Sequence, residues 1–233
     1  MNVLKAFFRK KRNTPKQKDQ TEFKETSAGK IMRDIYLNKK WGGKKHDFYS
    51  GFGSHSRKVV KPYVKAIRRF FDSHQNKFVV CDIGCGDFNV GSQLVNFTSA
   101  YKAVDVVDEL IVRNRNLYKN EKLTFDCVDI IKDKLPEGDC VLIRQVLQHL
   151  SNDDIEKVLP KLQKFKYAVV TEHLPKKEFT ANMDKSTGAS IRLSRGSGVV
   201  LHKPPFNLKA KKNTELVRKY YNKGVIVSTL YEF

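Results

Sequence analysis

The sequence predicts an α/β fold built on a mostly parallel sheet with helices on both faces. Three observations lead there. Strand-like and helix-like segments alternate along most of the chain. Residues 78–83 (FVVCDI) form a short apolar run broken only by Asp82, the pattern of a strand buried on both faces. Gly84 and Gly86 follow at once, and residues 89–97 (NVGSQLVNF) have the length and spacing of the start of a helix. Strand, glycine loop and helix in that order make the nucleotide-cradling unit of a doubly wound sheet.

The residues around the loop narrow the ligand. A dinucleotide fingerprint would want a third glycine at position 89, where Asn89 stands. Asp82 lies just before the loop and Asp87 just inside it, and two added carboxylates repel a pyrophosphate. A ligand without phosphate and with a positive end suits them. S-adenosylmethionine (SAM), with its sulfonium and ammonium groups, is such a ligand.

Composition sets the outer limits. The 233 residues suit one domain with a short extension, and 40% hydrophobic residues are enough for a core. A net charge of +20 implies an anionic partner or surface: nucleic acid, acidic lipid or anionic glycan. No apolar run reaches the roughly 18 residues of a membrane span. The segment VLKAFF is too short for a signal peptide and carries Lys5, so a cytoplasmic protein is expected. Cys81, Cys85, Cys127 and Cys140 form no CxxC pair, which argues for reduced thiols rather than a zinc site.

In chain order, residues 1–30 are rich in Lys, Arg, Gln and Thr and are set apart from a domain spanning 31–233. Their opening pairs an apolar cluster with a basic run. That suits either a weak anchor on an anionic membrane or nucleic acid, or a solvated tail. A short helix is expected from residue 31. Residues 38–56 hold four glycines and the only tryptophan. They are either a lid over cofactor or substrate, with Trp41, Tyr49 and Ser54 as contacts, or an ordered wrap with Trp41 in the core. Residues 59–71 have helical spacing with a basic outer face, read most simply as solvated. Residues 100–109 give a second strand with Asp105 near its end. Asp105 falls about 20 residues after the glycine loop, where an acid accepts hydrogen bonds from ribose hydroxyls. The alternative is an acid capping the next helix, for which Asp108 is better placed. Residues 123–130 give a third strand and 140–144 a fourth, running into a helix capped by Ser151 or Asn152. Residues 167–171 give a fifth, with Glu172 and His173 at its carboxyl end. Ligands of open α/β sheets bind beyond those ends, so Arg144, Gln145 and His149 belong beside the cofactor. Residues 174–208 would roof the pocket, with Asp184, Arg192 and His202 as polar candidates. A closing hairpin turns at Asn222, Lys223 and Gly224.

VVCDIGCGDFNVG, AVDVVDELI, Asp129 and LIRQVLQHLSNDDI together resemble class I SAM-dependent methyltransferases over about residues 31–233. The resemblance implies a Rossmann-like, mostly parallel seven-stranded sheet with an antiparallel C-terminal hairpin, and SAM as cofactor. The contacts expected on SAM are Asp82, Gly84, Cys85, Gly86, Asp87, Asp105, Val106, Asp129, Ile130, Arg144, Gln145 and Trp41. In proteins of this kind the acid after the third strand reaches the adenine amino group, which suits Asp129, with Asp126 second. WGG, YSGFGS, RQVLQHLSN, TEHLP and GSGVVL…PPFNL are similar to small methyltransferases that include sugar-methylating domains of glycan-building enzymes from bacteria and large DNA viruses. A glycan or small-molecule hydroxyl is therefore the first expected acceptor. The fourth strand runs into RQVL rather than [DN]-P-P-[FY], which counts against amino-methylation of DNA bases and many RNA bases. RNA methylation through the basic surface is the second reading, and a non-catalytic binding protein the third, opposed by the intact acids 82, 105 and 129. A hydroxyl acceptor needs a base. His173 and His149 are the candidates, with Glu172 as base or orienting group and Gln145 on cofactor or acceptor. His149 packing on adenine is the alternative to catalysis. A metal on Glu172, His173 and Asp184 has no sequence pattern behind it, and none is expected.

Overall fold

A computed structural model describes residues 26–43 and 48–233. The expectations for residues 1–25 lie outside the described residues. A single seven-stranded sheet runs in the order β3-β2-β1-β4-β5-β7-β6. Its strands are β1 (Val79–Ile83), β2 (Ala100–Asp105), β3 (Leu123–Cys127), β4 (Cys140–Arg144), β5 (Tyr167–Pro175), β6 (Lys212–Tyr221) and β7 (Gly224–Glu232). β1 is central because it is apolar on both faces, and it pairs in parallel with β2 and β4. β7 lies antiparallel between β5 and β6, closed by a turn through Asn222 at φ 50°.

Helices α1 (Ser27–Leu37), α2 (Phe52–His55), α3 (Arg57–Asp72), α4 (Asp108–Leu117) and α5 (Asn152–Leu162) surround the sheet. One face packs against Val60, Ile67 and Phe71 of α3, with Phe88 and Tyr101. The other packs against Ile155, Val158 and Leu162 of α5 and, from the roof, Val199 and Leu201. Among the described residues no helix is long and apolar enough to cross a membrane.

Several expectations need correction. Residues 89–97 are not an α-helix but two 3₁₀ turns, Gly91–Gln93 and Val95–Phe97. Phe88, at φ 63°, stands in the left-handed region just ahead of this segment, and two short turns rather than one helix return the chain to β2. α1 begins at Ser27, capped by Thr26, so the boundary drawn at residue 30/31 falls inside a helix. The N-cap position of α4 is Val107, and Asp108 stands in the first turn. The third strand ends at Cys127, three residues short of Ile130.

The largest correction concerns β5. It continues in register with β7 to Pro175, so Glu172 and His173 lie within a strand and not beyond it. Neighbouring strand residues face opposite sides of a sheet. The two side chains therefore diverge.

Candidate active site

The carboxyl ends of β1, β2 and β4 open into a cavity of about 470 Å³. Gly84 of the glycine loop lines it. Gly84 has φ +65°, and a Cβ there would stand 2.4 Å from Val146 Cγ2. At Gly86, φ is +57° and a Cβ would stand 2.3 Å from Ser50 Oγ. Both the backbone conformation and the space demand glycine.

Asp105 ends β2 and lines the cavity. Its Oδ2 accepts from the Gly86 N–H at 3.0 Å and its Oδ1 from the Val107 N–H at 3.1 Å. It thus holds the loop and the entry to α4 while keeping lone pairs for a ligand. Burial pushes its carboxyl up to about 6 against those backbone donors. Val106, Ile130, Ile131 and Met32 form an apolar slot beyond it. Asp129 closes the slot. Its Oδ2 accepts from the Thr26 hydroxyl at 2.5 Å and its Oδ1 from the Ile131 N–H at 2.9 Å. Asp126, the second choice for this place, is exposed and pairs with Arg115 at 3.6 Å.

Asp82, Cys85, Gly86 and Asp87 do not line the main cavity but a smaller adjoining recess, which shares Ser50, Ser54, Gly84 and Arg144 with it. Asp82 accepts from the Tyr101 hydroxyl at 2.8 Å, and burial pushes it up to about 7. Cys85 is half-buried, its thiol pushed up by burial. Asp87 is taken up by the protein itself: it accepts from the Ser50 N–H at 2.8 Å and the Asn89 N–H at 3.2 Å and meets His55 Nε2 at 2.6 Å. It fastens the strap of residues 48–55 onto the glycine loop.

Arg144 closes β4 with Nη2 donating to Gly53 O at 2.7 Å and the guanidinium 5.2 Å from the Tyr63 ring. Its buried Nε has no partner among the described residues. Gln145 follows at φ +56°, a conformation rare outside glycine and typical of a constrained site. Its N–H donates to Thr171 O at 2.7 Å, and its side chain lines the cavity with Oε1 buried and unpartnered among the described residues.

His149 sits in a 3₁₀ turn, Leu147–His149, ahead of α5 rather than a turn into it. Its Nδ1 is 3.2 Å from Gly188 O and its Nε2 3.3 Å from Gln148 Nε2. A carbonyl only accepts and an amide nitrogen only donates, so Nδ1 carries the proton and Nε2 the lone pair. Burial, with Lys185 adding, takes its pKa down to about 4. Trp41 packs on it with ring centroids 5.0 Å apart and lines the cavity, as does His149 itself. Trp41 is thus wall and core packing at once, and also meets Tyr36 edge-on at 5.1 Å.

His173 and Glu172 do not reach the cavity. The His173 Nε2 lies 3.1 Å from Tyr221 O, on the hairpin side. Glu172 points to the α5 side, 2% exposed, with neither carboxylate oxygen partnered among the described residues. Burial pushes it up to about 8 despite the nearby Arg192 guanidinium. The polar roof residues hold the roof itself: Asp184 accepts from the Asn152 N–H at 2.8 Å, Arg192 donates to Met183 O at 2.9 Å, and His202 meets the Tyr231 hydroxyl at 3.2 Å. No group of three or more His, Cys, Asp or Glu among the described residues is arranged to hold a metal ion.

Sequence reasoning missed one wall of the cavity. Ala28, Gly29, Met32 and Tyr36 of α1 line it, as do Ser50, Gln148 and Ser190. The only signal for α1 was its helical spacing, which says nothing of what the helix faces. Gln148, three residues after Gln145, could have been found from that spacing once the segment was seen to be a turn.

No family model and no curated protein matches the sequence. Solved structures do match in fold. N-methyltransferase NodS from Bradyrhizobium japonicum WM9, in complex with S-adenosyl-L-homocysteine, is 13% identical with a TM-score of 0.56, over 75% of this chain and 87% of that one. Magnesium protoporphyrin IX methyltransferase (ChlM) from Synechocystis PCC 6803, with bound SAM, is 15% identical with a TM-score of 0.55, over 90% and 99%. The N-terminal domain of EvdMO1, in the presence of S-adenosyl-L-homocysteine and D-fucose, is 12% identical with a TM-score of 0.52, over 73% and 82%. The architecture is the Rossmann-like class I methyltransferase fold, with its parallel core and antiparallel closing hairpin.

Proposed function

We propose that this protein is a SAM-dependent methyltransferase acting on a hydroxyl of a sugar, glycan or related small molecule. The observation that carries the cofactor is the glycine loop tied to the Asp105 carboxylate at the mouth of the cavity. The residues fit SAM: an acid for ribose hydroxyls, an apolar slot ending in Asp129 for adenine, and Asp82 with Arg144 beside the recess for the amino-acid end. When bound, SAM supplies an electrophilic methyl group on a sulfonium leaving group.

The choice of a hydroxyl rests on this chain's own residues, because the similar folds belong to proteins of differing acceptors. Gln145 Oε1 is a buried acceptor without a donor, and an unsatisfied group of that kind costs about 1–3 kcal/mol until a ligand pairs it. A second hydroxyl of the acceptor, donating to it, orients the molecule in the cavity. His149 is neutral at physiological pH and unprotonated at Nε2, so with the acceptor hydroxyl in place of the Gln148 amide there it receives the hydroxyl proton as the new O–C bond forms. Met32, Trp41 and Ile191 line the cavity with apolar surface that displaces water from the reacting groups. His149 takes the place of His173 as base, and Glu172 stays behind the turn that carries it.

Incubation with methyl-labelled SAM, followed by separation of glycan, RNA and protein fractions, tests the reading. Label in neutral glycans or small molecules supports it. Label in RNA or protein overturns the acceptor class, and absence of SAM binding in calorimetry overturns the whole.

A further inference from the structure

The face of α3 that looks away from the core carries Arg57, Lys58, Lys61, Lys65, Arg68 and Arg69, all exposed. At about 100° per residue these six positions fall within an arc of about 120°, so they form one ridge along a helix about 24 Å long. None of them is in an ion pair among the described residues, and the only acid on the helix is Asp72 at its far end. Lys219 of β6 lies on the same side of the sheet, since it pairs with Ile226 and through it with His173.

The ridge has a direction. α3 starts just after Gly53 and Ser54, which line the cavity, and runs away from it toward the start of β1. At the cavity end stands Phe52, 71% exposed, with Tyr49 edge-on at 6.1 Å and the Tyr49 ring stacked on His55 at 4.4 Å. Cations in a row that end in an exposed aromatic ring are what a single strand requires: charge along its phosphates and a flat apolar surface for a base. A flat anionic membrane would instead favour apolar groups interleaved among the cations, and the ridge itself has none exposed.

We propose that the α3 ridge binds single-stranded nucleic acid, its phosphates along α3 and a base against Phe52. The surface lies outside the cavity, so the proposal holds whichever hydroxyl is methylated.

Fluorescence anisotropy of the full chain with a labelled single-stranded oligoribonucleotide about twelve nucleotides long tests it. Lys61→Glu with Lys65→Glu should weaken binding at least about tenfold. Losing two phosphate contacts should lower the slope of log affinity against log salt by about 1.4. Lys134→Glu with Lys164→Glu, an equal change of net charge away from the ridge, should leave both unchanged. Phe52→Ala should weaken binding about tenfold and leave the salt slope alone. The neutral pair Lys61→Gln with Lys65→Gln replaces the reversed pair if melting or SAM affinity shows that it does not fold. Equal losses from both reversed pairs, no loss from the α3 pair, or α3-dependent binding to phosphatidylserine vesicles without binding to the oligonucleotide would each overturn the proposal. SAM affinity measured alongside separates these results from failure of the proposed methyltransferase.

Discussion

The proposed chemistry rests on Asp105 and His149. Asp105 holds the glycine loop and lines the cavity. Asp105→Ala should weaken SAM binding by about 1–3 kcal/mol in calorimetry, because the ribose hydroxyls lose their acceptor and the Gly86 and Val107 N–H groups lose theirs. His149→Ala should lower the maximal rate by roughly 10²–10⁴, the size of general-base catalysis, while His173→Ala stays near normal because its ring turns to the hairpin. Reversal of that order in the two rates would return the role to His173. With its pKa down at about 4, His149 stays neutral through physiological pH and places no acid limb near 6.5. Glu172 offers a test by stability. Its folded pKa of about 8 lies above the ordinary carboxylate value of 4.5, so the folded state holds a proton that the unfolded state has lost between those values. Its contribution is complete below about pH 4.5 and is lost as pH rises through 8. Glu172→Gln cannot ionise. Urea midpoints should therefore separate in favour of the variant as pH is raised across that window, and parallel midpoints would show that Glu172 is not held neutral.

At the scale of elements, the strap of residues 48–55 is as important as the glycine loop it covers. Asp87 fastens it through the Ser50 N–H and His55. Asp87→Ala should raise amide exchange at Ser50 and weaken SAM binding together; unchanged exchange would mean that the strap is held some other way. What was legible in the sequence follows the same division. β1 and β4 were readable to the residue or nearly so, because a strand buried on both faces needs an unbroken apolar run. Asp105, placed by its spacing after the glycine loop, and Asp129, placed by the resemblance, both line the cavity. Residues 89–97 were not readable, since their apolar spacing suits both kinds of winding. Nor was the divergence of Glu172 from His173. It depends on how far β5 pairs with β7, which is a property of a segment fifty residues away.

For the molecule as a whole, the border that matters is where the cavity-bearing body begins. Composition put the border at residue 30, where the run of basic and polar residues gives way to a helical pattern. Physical contacts put it earlier. Thr26 caps α1 by accepting from the Gly29 N–H at 3.0 Å, and its hydroxyl also donates to Asp129 at 2.5 Å. Ala28 and Gly29 line the cavity. Loss of an N-cap threonine alone costs a helix about 1 kcal/mol, and here it also unties the helix from the acid assigned to adenine. α1 keeps further anchors in Tyr36, whose hydroxyl meets Ser50 Oγ at 3.0 Å and whose ring packs with Val107 and Leu110, and in the half-exposed Arg33–Glu109 pair to α4, which contributes little by itself. Two truncations therefore differ sharply in their expected outcome. A chain beginning at Lys24 should bind SAM and turn over a small acceptor as the full chain does. A chain beginning at Ile31 should remain folded on its sheet but bind SAM at least about tenfold more weakly, the equivalent of about 1.4 kcal/mol. Calorimetry on both, with the far-ultraviolet spectrum as a check on folding, decides the matter. Equal affinities would show that α1 closes the cavity without contributing to binding, and loss in both would carry the catalytic body into residues 1–23.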